Sequence, residues 1–283
     1  MRTIKKIHQA EFRPIADLIT YSPLPSRTLD QVDPFLFLNH HGPQVYPPNN
    51  NGLPFGPHPH RGMETVTFIL DGDIAHHDSG GHTSVINSGG VQWMTAGKGL
   101  IHAEVSSEQF KKNGGKLEIL QLWLNLPARL KMTTPKYIGL QAENIPNITL
   151  DNGNITLHLI SGEYAGQQGA FETLTDIFLS TIDFKSGSHL QFNIPSEHNI
   201  FCYIIRGQLH INNQSVAALH LVEFNNDGEE LNIQAGKDSI LLFGHAEPFN
   251  EPVVARGPFV MNTEEEIYEA YQDYQQGKFG KWE

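Results

Sequence analysis

The sequence predicts an all-β fold of many short antiparallel strands, which close into a barrel or pack as a sandwich. Short apolar or alternating runs recur along the chain, for example at residues 65–70, 83–86 and 201–205. Turn residues separate these runs, and 26 Gly and 17 Pro are spread evenly over the 283 positions. Short strands with glycine-containing turns between them are typical of all-β sandwiches and barrels, whereas helical periodicity is scarce here.

The strand pattern occurs twice. A strand that runs into residues 70–73 is matched by one that runs into residues 205–208, and residues 99–104 have a fainter counterpart at 242–247. Two similar barrels of about 120 residues each fit the length, because that is a usual size for a domain. We expect a first barrel over residues 1–130, a proline-containing connection over 131–147, and a second barrel with a terminal helix over 148–283.

One helix is indicated clearly, near the end of the chain. Thr263 followed by Glu266 has the form of a capping box, in which the two side chains satisfy the first free backbone N–H groups. Apolar residues then follow at i, i+3, i+4 and i+7, at Ile267, Ala270, Tyr271 and Tyr274. This spacing places them on one stripe, so we expect the helix to pack on the outside of a barrel.

Composition excludes several classes of function. With 19 Lys and Arg against 31 Asp and Glu, the formal net charge is −12, and the sequence has no basic run, so we expect no direct nucleic-acid binding. No stretch of about 18 apolar residues occurs that would span a membrane. The start of the chain also lacks the apolar segment of a signal peptide. The single cysteine, Cys202, lies in an apolar run and reads as a buried thiol, so we expect a cytoplasmic protein.

Two short motifs carry chemistry. His58 and His60 are spaced i, i+2, as are His102 and Glu104, so on a strand both side chains of each pair project from one face. If the two strands are neighbours, three imidazoles and one carboxylate aim at a single point. That donor set suits a divalent first-row metal such as iron, manganese, nickel, copper or zinc. Gly and Pro residues around both motifs stiffen the segments that would hold the ligands.

Spacing alone leaves the identity of the carboxylate ligand open. Glu64 lies four residues beyond His60 and shares its strand face if no bulge intervenes, so Glu64 competes with Glu104 for this role.

The remaining histidines give weaker signals. Counting back from Gly207 as from Gly72 places the two histidine positions of the second half near Asn193 and Pro195, so we expect the second barrel to have lost its site. His245 and Glu247 echo the second motif without a partner pair. A further group reads as a solvated hairpin loop, formed by His76, His77, Asp78 and His82.

These motifs resemble those of the cupin superfamily. Gly52, His58, His60, Glu64 and Gly72 resemble the first cupin motif, and residues 99–102 resemble the end of the second. Within the cupins, the match narrows to the pirin family. The runs that carry this resemblance span both halves of the chain, at residues 57–62, 81–83, 92–104 and 257–263.

The resemblance implies a bicupin, that is, two cupin-type barrels, with one divalent metal in the first barrel only. Its ligands would be His58, His60, His102 and Glu104, and the metal most typical of the family is Fe(II). Glu104 would also act as a catalytic base, with Glu64 as a second candidate for that role. Around this set, the resemblance and the sequence suggest Glu64 as an acceptor that orients a histidine. They also suggest that Phe55, Trp93 and Met94 form an apolar wall of the substrate pocket. Packing in the protein core explains these three residues equally well.

The resemblance further implies a dioxygenase that acts on a flavonol-type aromatic substrate with O2, an activity called quercetin 2,3-dioxygenase or quercetinase. The alternative is a metal- or redox-dependent protein that regulates a transcription factor or a metabolic enzyme without turnover, because some pirins act through protein partners. A third reading is an enzyme with another small substrate, since a fold does not determine a reaction.

Overall fold

A computed structural model describes residues 1–282, which form strands and two α-helices. In chain order, the strands of the first half are β1 (Ile4–Gln9), β2 (Glu11–Phe12), β3 (Thr20–Leu24), β4 (Phe35–Tyr46), β5 (Phe55–His60), β6 (Met63–Asp71), β7 (Asp73–Asp78), β8 (Thr83–Asn87), β9 (Val91–Thr95), β10 (Leu100–Val105), β11 (Gly115–Asn125) and β12 (Lys136–Leu140). The later strands are β13 (Asn147–Leu150), β14 (Ile155–Ser161), β15 (Glu163–Tyr164), β16 (Gln167–Gln168), β17 (Ile177–Phe184), β18 (His189–Asn193), β19 (Asn199–Arg206), β20 (Gln208–Ile211), β21 (Gln214–Ala217), β22 (His220–Phe224), β23 (Glu230–Ala235), β24 (Ser239–Ala246), β25 (Val254–Arg256) and β26 (Phe259–Met261). The helices are α1 (Glu108–Asn113) and α2 (Glu264–Gln275).

These strands build the same pair of sheets twice. In the first barrel, a seven-stranded sheet of order β12-β9-β6-β11-β4-β3-β2 accompanies a four-stranded sheet of order β5-β10-β7-β8. In the second barrel, the orders are β1-β22-β19-β24-β17-β14-β13 and β18-β23-β20-β21. The strands β5 to β11 therefore correspond in order to β18 to β24. The predicted all-β fold of two antiparallel barrels is confirmed.

The turn after the central strand shows the repeat most directly. Gly72 joins β6 to β7 with φ of +90°, and Gly207 joins β19 to β20 with φ of +89°. Glycine adopts this left-handed region without the steric penalty of a side chain. The two glycines therefore provide a common origin from which residues of one barrel are matched to residues of the other.

Contacts divide the chain into two compact units. The N-terminal residues belong to the unit of the second barrel, and the C-terminal residues belong to the unit of the first barrel. One unit contains Met1–Glu11, Ser22–Phe35 and Asn144–Pro248, and the other contains Phe12–Tyr21, Leu36–Glu143 and residues 249–282. The N-terminal strand β1 belongs to the unit of the second barrel because it pairs with β22. The predicted ranges 1–130, 131–147 and 148–283 thus remain a prediction about domains, and the contacts group the two ends differently.

The C-terminal helix packs on the first barrel. Thr263 caps α2 by accepting from the Glu266 N–H at 3.2 Å, and the Glu266 carboxylate accepts from the Thr263 N–H at 3.0 Å, so the predicted capping box is present. The buried stripe is narrower than predicted, because Ile267 and Ala270 are buried whereas the other two members, both tyrosines, are 38% exposed. Neither helix of the described residues is long and apolar enough to cross a membrane.

Candidate metal centre

Two neighbouring strands bring three histidines together. The strands β5 and β10 are antiparallel, with His58 directly opposite His102 and His60 opposite Leu100. One ring nitrogen from each of the three histidines lies within 4.8 Å of the other two. His58 Nε2 lies 3.0 Å from His102 Nε2. The i, i+2 spacing therefore places these side chains on one face, and the pairing of the strands makes them converge.

The outer nitrogens of this cluster are held by the backbone. His58 Nδ1 donates to the Gly56 carbonyl at 2.7 Å, and His60 Nδ1 donates to the Pro258 carbonyl at 3.1 Å. Because a carbonyl only accepts, each of these Nδ1 atoms carries a proton, and in the neutral form of the ring Nε2 keeps its lone pair. His60 Nε2 is buried and has no hydrogen-bond partner among residues 1–282. Together with the His102 imidazole, whose Nε2 lies beside His58 Nε2, these nitrogens form a donor set that fits a divalent first-row metal.

Burial also keeps the cluster in its metal-binding form. It lowers the pKa of His60 to about 3, and nearby His58 adds to the effect. Burial lowers the pKa of His102 well below its usual value, with further contributions from His60, His58 and His76. Both imidazoles are therefore neutral near pH 7, and the neutral imidazole is the form that ligates a metal.

A tight turn at Gly62 directs the histidine strand into the next one. Gly62 has φ of +79°, and a Cβ atom there would lie 2.0 Å from the Val260 carbonyl oxygen. The buried ammonium group of Lys131 donates to the Gly62 and Val260 carbonyls at 2.9 and 3.0 Å, and to Asn125 Oδ1 at 2.8 Å. Burial lowers the pKa of Lys131 to about 8. These bonds join the turn to the C-terminal segment that supplies the Pro258 carbonyl.

The carboxylate of Glu104 lies outside the group of three histidines and is held by other side chains. Its Oε1 accepts from the Thr67 hydroxyl at 3.0 Å and from the Gln92 amide, and its Oε2 accepts from the Gln121 amide. A carboxylate can accept more than one hydrogen bond at each oxygen, so these three bonds do not exhaust the acceptor capacity of Glu104. Sequence reasoning missed these three partners. Their signal is a polar residue inside an otherwise apolar strand.

Glu64 and Trp93 face away from this network. Glu64 and Thr67 are an odd number of residues apart on β6, so their side chains point to opposite faces of the sheet. Glu64 accepts from the Thr95 hydroxyl at 2.6 Å, and burial raises its pKa. Trp93 pairs with Val66 and shares the face of Glu64. The predicted orienting role of Glu64 and the wall role of Trp93 remain predictions, and these positions argue against both.

Apolar residues on the inward face of the sheet, opposite to the face that carries Glu64, line the space beside the histidines. Met94 and Trp123 are both cross-strand neighbours of Thr65, on the inward face of the sheet. The Trp123 ring lies 5.2 Å from the His60 ring, edge to face, and was not anticipated from the sequence. Phe55 lies opposite Glu104 across the strand pair. Phe55 and Met94 thus occupy positions compatible with their predicted wall role.

The histidine group expected on a solvated loop is divided in the structure. His76 and Asp78 are buried, so the prediction is wrong for these two, whereas His77 is half-buried and His82 is exposed. His76 and Asp78 lie on β7, which pairs with β10. His76 Nε2 lies 3.0 Å from Asp78 Oδ2. The His76 ring stacks on Tyr137 with centroids 3.8 Å apart. Burial alone would raise the pKa of Asp78, but hydrogen bonds from His76 and His82 lower it to about 2. The strand continues to Asp78, and the glycine hairpin begins only after it.

The second barrel has hydrocarbon at the corresponding positions. His76 and Ile211 each lie four residues after the matching glycine, and they pair with Glu104 and Ile233 respectively. The same registers match the four predicted ligands, in the order His58, His60, His102 and Glu104, to Phe192, Ile194, Leu231 and Ile233. All four belong to one buried apolar cluster. The positions expected near Asn193 and Pro195 were therefore each one residue too late.

The histidine echo in the second half was assigned to the wrong strand. His245 lies on β24 opposite Ile200, which makes it the counterpart of Trp123 rather than of His102. Its Nδ1 lies 3.0 Å from His198 Nδ1, and its ring stacks on Phe178. Within residues 1–282, the one group of three or more potential metal ligands that lie together is the histidine cluster of the first barrel.

Comparison with known proteins agrees with this architecture. The family model of pirin matches residues 17–124, and the model of the pirin C-terminal cupin domain matches residues 179–280. A Pseudomonas aeruginosa protein named "Putative quercetin 2,3-dioxygenase" is 37% identical over 266 residues, which cover 94% of this chain and 92% of that protein.

Solved structures are similar over most of the chain. A quercetin 2,3-dioxygenase from Acinetobacter baumannii superposes with a TM-score of 0.93 at 35% identity, covering 99% of each chain. A bacterial pirin from Escherichia coli, solved in complex with nickel(II), superposes with a TM-score of 0.68 at 19% identity and covers 86% of this chain and 99% of that one. At that identity, the second comparison supports the fold alone.

Proposed function

This chain belongs to the pirin family, and from that premise we propose that it is a cytoplasmic, metal-dependent dioxygenase that opens the central ring of a flavonol-type substrate. The observation that carries the proposal is the convergence of three imidazoles in the barrel that also buries a hydrogen-bonded carboxylate. Relatives named as quercetin 2,3-dioxygenases over nearly the whole length support the substrate class.

We assign the metal to His58, His60 and His102, with Glu104 as the fourth ligand. Fe(II) is the proposed ion, with manganese, nickel, copper and zinc as the alternatives to be tested. When bound, the ion supplies Lewis acidity and couples the substrate electronically to O2. The carbonyls of Gly56 and Pro258 orient two of the imidazoles, a role that commonly tunes metal affinity.

The protein's own groups prepare the substrate. Glu104 accepts the proton of the flavonol 3-hydroxyl, because an ionised carboxylate beside the metal site is the available base. Phe55, Met94 and Trp123 provide apolar contacts for the aromatic rings and keep water away. The overall reaction consumes one flavonol and one O2, and it yields the ring-opened ester together with carbon monoxide, which carries away one carbon and one oxygen atom.

The test is anaerobic reconstitution with each of the five ions, followed by addition of quercetin and O2. Loss of the flavonol's long-wavelength absorption and release of carbon monoxide are followed together, and bound metal is measured for each sample. We expect metal-dependent turnover in the wild type. His58→Ala loses the metal, and Glu104→Gln, which removes the basic charge, loses turnover by about a hundredfold or more.

A matched control is His189→Ala, which places the same substitution on β18, the strand of the second barrel that corresponds to β5. It leaves metal content and turnover unchanged. Stoichiometric metal without turnover for any ion would contradict the dioxygenase proposal. That outcome would favour the alternative of a metal- or redox-dependent protein that regulates a partner.

A further inference from the structure

We infer that Gln92 and Gln121 are positioning residues that hold the Glu104 carboxylate in one orientation for the metal site. The inference rests on the proposed function, because it assigns these amides a role at the same centre. It concerns residues that the histidine motifs do not reveal, since neither glutamine belongs to them. Each glutamine donates its side-chain amide to a different oxygen of Glu104.

The first argument is the placement of the donors. Gln121 on β11 pairs with Thr67 on β6, and Thr67 pairs with Gln92 on β9. Side chains of directly opposed residues lie on the same face of a sheet, so the three form one polar row across three adjacent strands. Glu104 reaches this row from β10, which belongs to the four-stranded sheet. Three donors from one sheet therefore meet one carboxylate from the other.

The second argument is that the orientation of the Gln92 amide is itself determined. The Tyr137 hydroxyl donates to Gln92 Oε1 at 3.1 Å and accepts from Ser84 Oγ at 2.5 Å. With the oxygen of the amide directed at Tyr137, the NH2 group is directed at Glu104, and it also donates to Thr67 Oγ1 at 3.3 Å. A chain of hydrogen bonds thus runs from Ser84 to the carboxylate.

The third argument comes from the second barrel, which folds without this row. The counterparts of Gln121, Thr67 and Gln92 are Phe243, Cys202 and Val222, and these also pair directly with one another. The counterpart of Glu104 is Ile233, which is fully buried among them. The barrel architecture therefore needs no amide at these positions, and the row is present where a buried carboxylate has to be held.

The experiment measures metal affinity by competition with a chelator, using Fe(II) under anaerobic conditions and Zn(II) as a redox-inert probe. Gln92→Leu and Gln121→Leu each weaken binding about 10- to 100-fold, the usual consequence of removing a group that orients a ligand. Gln92→Val carries the residue that the second barrel uses, so it provides a second variant if Gln92→Leu folds poorly. Thr95→Val is the control, because it removes a buried hydroxyl from the opposite face of the same sheet.

A double-mutant cycle between Gln92→Leu and Glu104→Leu in the metal-free protein separates this inference from the proposed function. We expect a coupling of about tenfold in the unfolding equilibrium constant. Wild-type metal binding with equal affinity in both glutamine variants would overturn the inference and leave the function standing. Weakened binding in the variants without flavonol turnover in the wild type would support the inference and contradict the function. If the wild type takes up no metal, the function fails, and zero coupling in the cycle would then overturn the inference as well.

Discussion

The two barrels share one strand order and differ in what fills them. In the first barrel, a polar row meets Glu104, and three histidines lie on the strand pair β5 and β10. In the second, the positions matched to the four predicted ligands and to the donors of Glu104 carry apolar residues or the thiol of Cys202. The same backbone therefore accommodates either a hydrogen-bonded charge or a continuous hydrocarbon core.

Glu104 and its three donors are all replaced in the second barrel, and none of them is kept alone. Physical chemistry explains why they change together. A buried carboxylate is tolerated only with donors around it, because an unpaired buried charge costs several kcal/mol. Equally, buried amides without an acceptor would each lose their hydrogen bonds with water. Glu104 and its donors consequently depend on one another. A barrel that carries one member without the others is destabilised.

The largest loss of stability is expected when a carboxylate is placed in the apolar core of the second barrel. Ile233→Glu puts an acid at the Glu104 position among Cys202, Val222 and Phe243, none of which can serve as the amide donors do. We expect a loss of about 5 kcal/mol in the free energy of unfolding, measured by urea denaturation near pH 7. Ile233→Leu, the apolar control, costs less than about 1.5 kcal/mol. Equal stability of the two variants would show that water or polar groups reach the core of the second barrel.

Metal addition sharpens the comparison by stabilising one barrel. At free metal about a thousandfold above the dissociation constant, we expect about 4 kcal/mol of added stability in the wild type. Hydrogen exchange should slow in β5 and β10 and stay unchanged in β18 and β23. His58→Ala abolishes the protection. Equal slowing in both strand pairs would contradict a site confined to the first barrel.

Low pH should destabilise the first barrel more than the second, by an amount per pH unit that is smaller than the two effects above. Burial lowers the pKa of His41 and His60 in the first barrel, and of His245 in the second, to about 3, and it also lowers that of His102. Unfolded histidines titrate near pH 6.5, so the unfolded state binds more protons below that pH. Stability is therefore complete above about pH 6.5 and is lost as the pH falls toward about 3.

The measurement is urea unfolding of the metal-free protein over this pH range. Each histidine contributes up to about 1.4 kcal/mol per pH unit, and three of the four lie in the first barrel, which should lose exchange protection first. His41→Gln keeps a partner for Thr20 and removes one titrating group, so its slope is shallower. An unchanged slope in that variant would show that His41 is already protonated in the native state.

The smallest effect concerns the single cysteine. Cys202 is the counterpart of Thr67, and burial raises the pKa of its thiol, so it remains protonated. Cys202→Thr introduces a hydroxyl with no carboxylate to receive it, and we expect a loss of about 1 kcal/mol in unfolding free energy. Cys202→Ala serves as the comparison for lost volume. A stabilising effect of Cys202→Thr would mean that polar partners exist in the second core.

Local sequence patterns predicted much of this protein. Turn glycines and short apolar runs indicated two all-β barrels, and the duplicated strand before Gly72 and Gly207 located the repeat. The i, i+2 spacing of His58 and His60 predicted that they share a face, because a strand alternates every residue. The capping box at Thr263 defined the start of α2 correctly, since that motif involves residues only three apart.

The tertiary structure decided what depends on register and on distant segments. Only the strand pairing shows that Gln92 and Gln121 converge on Glu104, that Glu64 faces away, and that His76 is buried. A carbonyl 198 residues along the chain, from Pro258, holds His60. A sequence read locally gives the face of each side chain along its own strand. Which strands adjoin, and in which register, is determined by packing of the whole barrel, and that packing assembled the site.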